Sequence, residues 1–303
     1  MPRLSLLLNA GFSGPQAWLL LAIRRGYLGD VALDLRPGTG AWNAAPGLVA
    51  GGHDLAYGDV HSLMAVAARQ PAVAPIGFFA VHTASPCAIA VPAAGPVAGP
   101  GDLPGRRVVG HASDVARHLF PAYAAACGLD PASVEVPVAE GPMAALIGRM
   151  QAGEAAGLFG YVSTITAAIG AEATRALRFL RYDAALPDSL GSVVMASRRV
   201  VAQQPEALRA LAAGFARGLR EAIAEPEAAM EAVLSFAPAA NAAAERLRWE
   251  TTLAVEMAGP AAPRPGGVDH GRLARSCAGF ARSLGLAPPD PARLFTDRFL
   301  GDA

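Results

Sequence analysis

The residues best suited to chemistry fall at six points where a β-type run gives way to a helical one, and each mixes glycines with polar or aromatic side chains. In an open α/β sheet such points lie beyond the carboxyl ends of the strands, where ligands settle. Helix N-termini there offer unpaired N–H groups and a partial positive charge. The first point holds Phe12 and Ser13, with Gln16 one turn on; the second holds Gly38, Thr39 and Gly40, followed by Trp42. The third holds Asp59 and His61, and His82 ends a later apolar run. Three more lie in the next third of the chain: His111 and Ser113 with Arg117, then Glu140, then Tyr161. All fifteen are candidate ligand contacts.

Each also has a purely structural use. Ser13, Asp59 and Ser113 are good helix N-caps, and Ser13 with Gln16 has the spacing of a capping box. The Gly38-Thr39-Gly40 run either cradles an anion through its amides or permits a tight turn. As a lone pair of glycines it lacks what a dinucleotide site needs. Trp42 and Tyr161 are either stacking rings or packing. Arg117 stands where the helix dipole disfavours a cation, a cost that an anionic ligand or solvent would offset.

Catalysis and metals find little support. No Gly-x-Ser-x-Gly elbow occurs, and Asp59 with His61, or Glu140 with His111, are acid–base pairs that nothing singles out. The six histidines show no metal-ligand spacing, and Cys87, Cys127 and Cys277 are too far apart for a framework or a metal site. The cysteines read as small buried residues. No catalytic residue, metal or cofactor is expected.

The elements that must position these residues alternate strand and helix, the pattern of an α/β fold with mostly parallel strands. Strands are predicted near residues 4–9, 31–36, 54–57, 73–81 and 87–91, with helices from Gly14 to Gly26, through Gly47 to Ala50, and from Val60 to Arg69. A Pro/Gly-dense connector spans 92–105. A second set follows, with strands from Arg107 to His111, near Val134 to Val138, from Gly157 to Gly160, from Leu177 to Tyr182 and from Ser192 to Ala196. Helices near Asp114 to Cys127, Pro142 to Gln151 and from Tyr161 to about Gly170 separate them. From Pro205 the chain reads as Ala-rich helix with a Pro/Gly break at 259–267. Two lobes result: 1–90 begins the first, 91–185 is an inserted second, and 186–303 completes the first.

Composition narrows the function. Lys+Arg and Asp+Glu are both 25, so the chain lacks the basic footprint of a nucleic-acid or anionic-membrane binder. All 25 basic residues are Arg, which rules out Schiff-base lysines, lysine-anchored pyridoxal phosphate and a Gly-Lys-Ser/Thr P-loop. No apolar run approaches the ~18 residues of a membrane span, and no secretory leader precedes the first strand. Either the chain is cytoplasmic or a leader has been removed.

Several stretches, taken in order, resemble one family. Asn9 to Leu28, with its polar cluster before a helix ending Arg24-Arg25-Gly26-Tyr27-Leu28, resembles the opening of ABC-transporter solute-binding proteins of the sulfonate, nitrate, taurine and thiamine-pyrimidine-precursor branch. Val31 to Gly40, Leu48 to Asp59, Asp102 to Gly110, Ala144 to Gly153 and Phe295 to Leu300 resemble its later segments. The resemblance implies a two-lobed type II periplasmic-binding fold that closes about a hinge on a small solute. It also implies a non-enzymatic monomer that partners a permease and its ATPase outside the cytoplasm. Within the branch, pyrimidine binders use aromatic rings and carboxylates, for which Phe12, Trp42, Tyr161, Asp59 and Glu140 are available. Sulfonate or nitrate binding would use Ser13, the amides of 38–41 and Arg117. The two acids favour a neutral or weakly basic heteroaromatic. The alternatives are a ligand-sensing domain without a transporter, or a thiamine-pyrimidine-forming enzyme, which the absence of Lys and of a Cys-rich motif disfavours.

Overall fold

The computed structural model describes residues 2–260, 262 and 264–301. Met1, Ala261 and Pro263 within the 259–267 break, and Asp302 and Ala303 at the end, lie outside the described residues. The first lobe opens with β1 (Arg3–Leu7), α1 (Ala17–Arg24), β2 (Ala32–Arg36), α2 (Ala44–Ala50), β3 (Leu55–Asp59), α3 (Val60–Arg69) and β4 (Ile76–Ala80). The second comprises β5 (Cys87–Pro92), β6 (Val108–Val109), α4 (Val115–Ala126), α5 (Met143–Gln151), β7 (Gly157–Tyr161), α6 (Val162–Thr174) and β8 (Leu177–Arg181). The chain returns through β9 (Ser192–Ala196), α7 (Arg198–Gln203), α8 (Pro205–Ala224), α9 (Pro226–Phe236) and α10 (Ala242–Thr251). A π-helical turn (Thr252–Glu256), α11 (His270–Ser283) and α12 (Pro291–Leu294) end it.

Two sheets form, ordered β2-β1-β3-β9-β4 and β6-β7-β5-β8. They are mixed rather than mostly parallel: β1–β2, β1–β3 and β6–β7 pair parallel, while β3–β9, β4–β9, β5–β7 and β5–β8 pair antiparallel. The reason is topological. β5 and β9 carry the chain into and out of the second lobe, and each enters its sheet against the βαβ direction. The strand expected at Val134 to Val138 reduces to single bridges at Glu135 and Val138, since Pro137 between them has no N–H for a ladder. The helix expected from Gly14 begins as a 3-10 turn (Gly14–Gln16) and becomes α-helical only at Ala17.

The first lobe's core centres on Trp18, which stacks on Phe79 and meets Tyr57 and Phe215 edge-on. α8 lies close against α1 because Gly218 faces the Trp18 carbonyl, where a Cβ would come within 2.5 Å of the oxygen. Between the lobes the chain crosses twice, at 81–86 and 182–191. Arg272 of α11 ties both crossings by donating to the carbonyls of Thr83, Pro187 and Ser189. Its guanidinium thus meets six-tenths of its demand through three fixed carbonyls at the hinge, which makes it a brace rather than a ligand contact.

Candidate functional site

The polar residues come together at the inner end of the interface between lobes. Asp59 ends β3 and caps α3: its Oδ1 accepts from the His61 backbone N–H at 2.9 Å and lies 2.8 Å from His61 Nδ1. Its Oδ2 accepts the Tyr161 hydroxyl from the other lobe at 3.1 Å. The carboxylate therefore fixes Nδ1 as the proton-bearing nitrogen of His61, leaving Nε2 to accept the Ser189 hydroxyl at 3.2 Å. Asp59, His61 and Ser189 are all buried. Nothing in their sequence spacing marks this relay, because Ser189 lies 128 positions from His61 and reaches it only through the second crossing.

A second set lies beside the first. Glu256, in the π-turn after α10, accepts the Ser163 hydroxyl from the start of α6. His82 Nδ1 stands 3.3 Å from Glu256 Oε2 without hydrogen-bond alignment, and His82 Nε2 lies 3.3 Å from the Tyr57 hydroxyl. Burial pushes the Glu256 carboxyl up to about 7, and the nearby Asp59 charge pushes it the same way. Burial also pushes His82 down to about 4, so its ring is neutral near pH 7. Ser192 Oγ and Thr252 Oγ1 are buried here without a hydrogen-bond partner. Glu256 escaped sequence reasoning because the Ala-rich C-terminal stretch around it carries no motif. The π-turn is the feature that aims it inward, and π-turns often mark functional positions.

The remaining candidates lie elsewhere. Ser13 and Gln16 form their capping box, Ser13 Oγ donating to Gln16 Oε1 at 2.6 Å, while Gln16 Nε2 donates to Asn9 Oδ1 at 2.5 Å. Phe12 packs against Phe236 at 5.4 Å, within the first lobe. At the outer end of the interface Trp42 stacks on His118 with centroids 4.0 Å apart and planes at 6°, one ring from each lobe. Gly40 abuts Ser113 across the same gap, and Gly38 lies against the Leu8 carbonyl. Thr39 is exposed and bonds Asn43.

In the second lobe, Asp114 rather than Ser113 is the residue before α4, and its Oδ2 accepts the His111 N–H at 2.6 Å. That carboxylate and the Gly141 carbonyl, 2.8 Å from Nε2, raise His111 to about 9. Arg117 follows in the first turn, its Nε unpartnered, and Glu140 is exposed nearby. Cys87 and Cys277 are buried and Cys127 is half-buried; burial pushes the Cys277 thiol up to about 12. Among the described residues no group of three His, Cys, Asp or Glu side chains is arranged to hold a metal ion. No helix among them is long and apolar enough to cross a membrane.

Ser189 and His61 also border a cavity of about 200 Å³ walled by Leu119, Ala122 and Phe280, on the hinge side of the polar cluster. The cluster as a whole can bind and orient. It presents two carboxylates, six hydroxyls and two imidazoles, contributed by both lobes and by the segment that bridges them.

A two-lobed α/β molecule with its polar groups gathered where the lobes meet has the architecture of a periplasmic-binding fold. The family model described as NMT1/THI5 like matches residues 16–229, and the chain belongs to that family. No curated protein matches it at the sequence level. Among solved structures it is similar to the periplasmic aliphatic sulphonate binding protein SsuA from Escherichia coli, with a TM-score of 0.71 and 14% identity over 94% of this chain and 92% of that one. The alkanesulfonate-binding protein SsuA from Xanthomonas axonopodis pv. citri, bound to MOPS, gives 0.68 and 16% over 100% and 99%. A complex of DszB with biphenyl-2-sulfinic acid gives 0.65 and 14% over 99% and 98%. DszB is a desulfurization enzyme, so the fold alone spans binding proteins and a catalyst.

Proposed function

We propose that this protein is the solute-binding component of an ABC importer, working outside the cytoplasm and handing a small organic solute to a permease and its ATPase. The observation that carries the reading is the polar cluster built from both lobes, in which Tyr161 and Ser163 of the second reach Asp59 and Glu256. A solute that bridges both sides favours the closed arrangement over the open one, which is how such a hinge responds to ligand. The family assignment and the SsuA-like fold agree with this role. The carboxylates favour a neutral or weakly basic heteroaromatic, a pyrimidine-like compound, in the cleft. The aromatic surface available at the cluster is Tyr161, because Trp42 is stacked on His118 and Phe12 on Phe236.

A second reading is an anionic solute, a sulfonate or nitrate, at the N-terminus of α4. The unpartnered Arg117 Nε and the raised His111 favour it. Asp114 at the same helix start opposes it by like charge.

Native mass spectrometry of the purified protein, followed by thermal shift against pyrimidines, sulfonates, taurine and nitrate, tests the role. A true solute at 100 times its Kd stabilises the folded state by about 2.7 kcal/mol, a clear rise in Tm. X-ray scattering on the responding pair should show a smaller radius of gyration. No co-purified molecule and no shift with any class would count against solute capture.

A further inference from the structure

Resting on the solute-capture reading, we infer that the polar cluster between the lobes selects a solute carrying positively charged N–H donors, an amidinium, guanidinium or protonated amine, with Asp59 and Glu256 as the selecting residues. The argument is one of donors and acceptors. Both carboxylates are buried, at 0% and 1% exposure, and both accept hydroxyl protons from the opposite lobe. A solute entering between the lobes takes the place of those hydroxyls and must donate as they do. A sulfonate or nitrate has only acceptors, and would face two carboxylates with nothing to give them.

Charge points the same way. Among the described residues no Arg pairs with Asp59 or Glu256. Arg248, whose charge acts on Glu256 without bonding to it, pairs with Glu245, and Arg272 is taken up by three backbone carbonyls. His82 supplies no countercharge because burial keeps its ring neutral. Asp59 is held by the His61 imidazole at 2.8 Å, whereas Glu256 faces only the neutral His82 ring, so Glu256 is the buried carboxylate whose lost hydration most needs a close positive partner. The rise of Glu256 towards neutral pH is the protein's own response to that deficit.

A second observation concerns the polar groups that flank the carboxylates. Ser192 Oγ, Thr252 Oγ1 and His82 Nδ1 are fully buried around the same point and lack hydrogen-bond partners. Unmet polar groups of this depth are rare and costly, and three in one cluster mark a place built to be completed by something else. Hydroxyls both donate and accept, so these groups mark unfilled hydrogen-bonding capacity beside the acids, and it is the acids that decide the sign of the charge.

The test uses benzamidinium and benzenesulfonate, matched in ring and size and opposite in charge, titrated calorimetrically into the intact protein. Benzamidinium should bind the parent, weaken at least tenfold in Asp59→Asn and in Glu256→Gln, and benzenesulfonate should be silent in all three. Circular dichroism melts establish that the variants fold; the parent comparison stands even if they do not. Tighter binding of benzenesulfonate, or benzamidinium binding that neither substitution changes, overturns the inference. If neither probe binds while a pyrimidine, taurine or nitrate does, the charge selection falls and solute capture survives. Silence across that whole panel instead overturns solute capture itself.

Discussion

Two of the contacts between the lobes are opposites. At the inner end Tyr161 and Ser163 hydrogen-bond to Asp59 and Glu256, all directional contacts among groups taken out of water. At the outer end Trp42 lies flat on a half-buried His118, and Gly40 rests against Ser113. The outer contact is complete as it stands. Ring stacking makes no demand for a further partner, and Gly40 fits because no Cβ is there to clash. The inner contact is incomplete, with the Ser192 and Thr252 hydroxyls unpartnered beside it and Glu256 facing no charged side chain that bonds to it. The difference assigns roles: the outer end sets how closely the lobes approach, and the inner end decides what brings them together.

The largest expected effect breaks the inner contact outright. Asp59→Ala removes the cap of α3, worth about 1 kcal/mol, and strands His61 Nδ1 and the Tyr161 hydroxyl, at about 1–3 kcal/mol each. A total near 4 kcal/mol lowers the Tm by roughly 6 °C for a chain of this size. Asp59→Asn retains the cap and should cost far less. Equal losses for the two variants, measured by calorimetry, would mean that the cap contributes nothing and that the whole cost lies in what Asn also lacks, the charge and second acceptor oxygen of the carboxylate.

Next in size is the pH dependence at Glu256. Below about 4.5, its ordinary value, the carboxyl is protonated in both folded and unfolded chains, and burial costs nothing. Between about 4.5 and about 7 the unfolded chain ionises first, so the folded state loses stability as pH rises; above about 7 the loss is complete. Glu256→Gln removes this loss, so the Tm of the variant relative to the parent should climb through that window and then level off. The expected climb is on the order of 2–3 kcal/mol. His82 acts in the opposite direction, costing stability as pH falls from 6.5 towards about 4. Its effect is common to both proteins and cancels in the difference. A flat difference curve would remove Glu256 from the list of uncompensated charges and weaken the contrast between the two ends.

Much of this was legible from residues alone, and the limits have physical causes. Asp59, His61, His82 and Tyr161 stand out as candidates because strand ends and helix starts announce themselves by local pattern, and the fold brings these four into one cluster. The Ser13–Gln16 box was legible for the same reason, being three residues across. Ser189 and Glu256 were not. Each reaches the cluster through long-range packing, one across a hinge crossing and the other from a π-turn, and local spacing carries no trace of either. Trp42 illustrates a third case. Its type leaves a ligand-stacking ring or packing open, and the interface between the lobes shows it stacked on His118. The mixed sheets were missed because apolar runs reveal strands without their direction.

The smallest expected effect sharpens the comparison from the outer side. Gly40 has φ at +127°, a backbone state that a side chain strains, and a Cβ there would lie 2.6 Å from Ser113 Cβ and Oγ. Gly40→Ala should therefore cost about 1–2 kcal/mol and push the lobes apart. Adding Ser113→Gly removes the clashing atoms and leaves the strained backbone. If the outer end acts as a spacer, the single variant expands the molecule in X-ray scattering and the double variant returns to the parent radius while its Tm stays low. Recovery of both would mean the clash was everything, and recovery of neither would mean that Gly40 matters only within its own turn. Solute affinity gives the deciding contrast. A spacer variant weakens every solute alike by disfavouring closure, whereas Asp59→Asn and Glu256→Gln weaken solutes according to their charge.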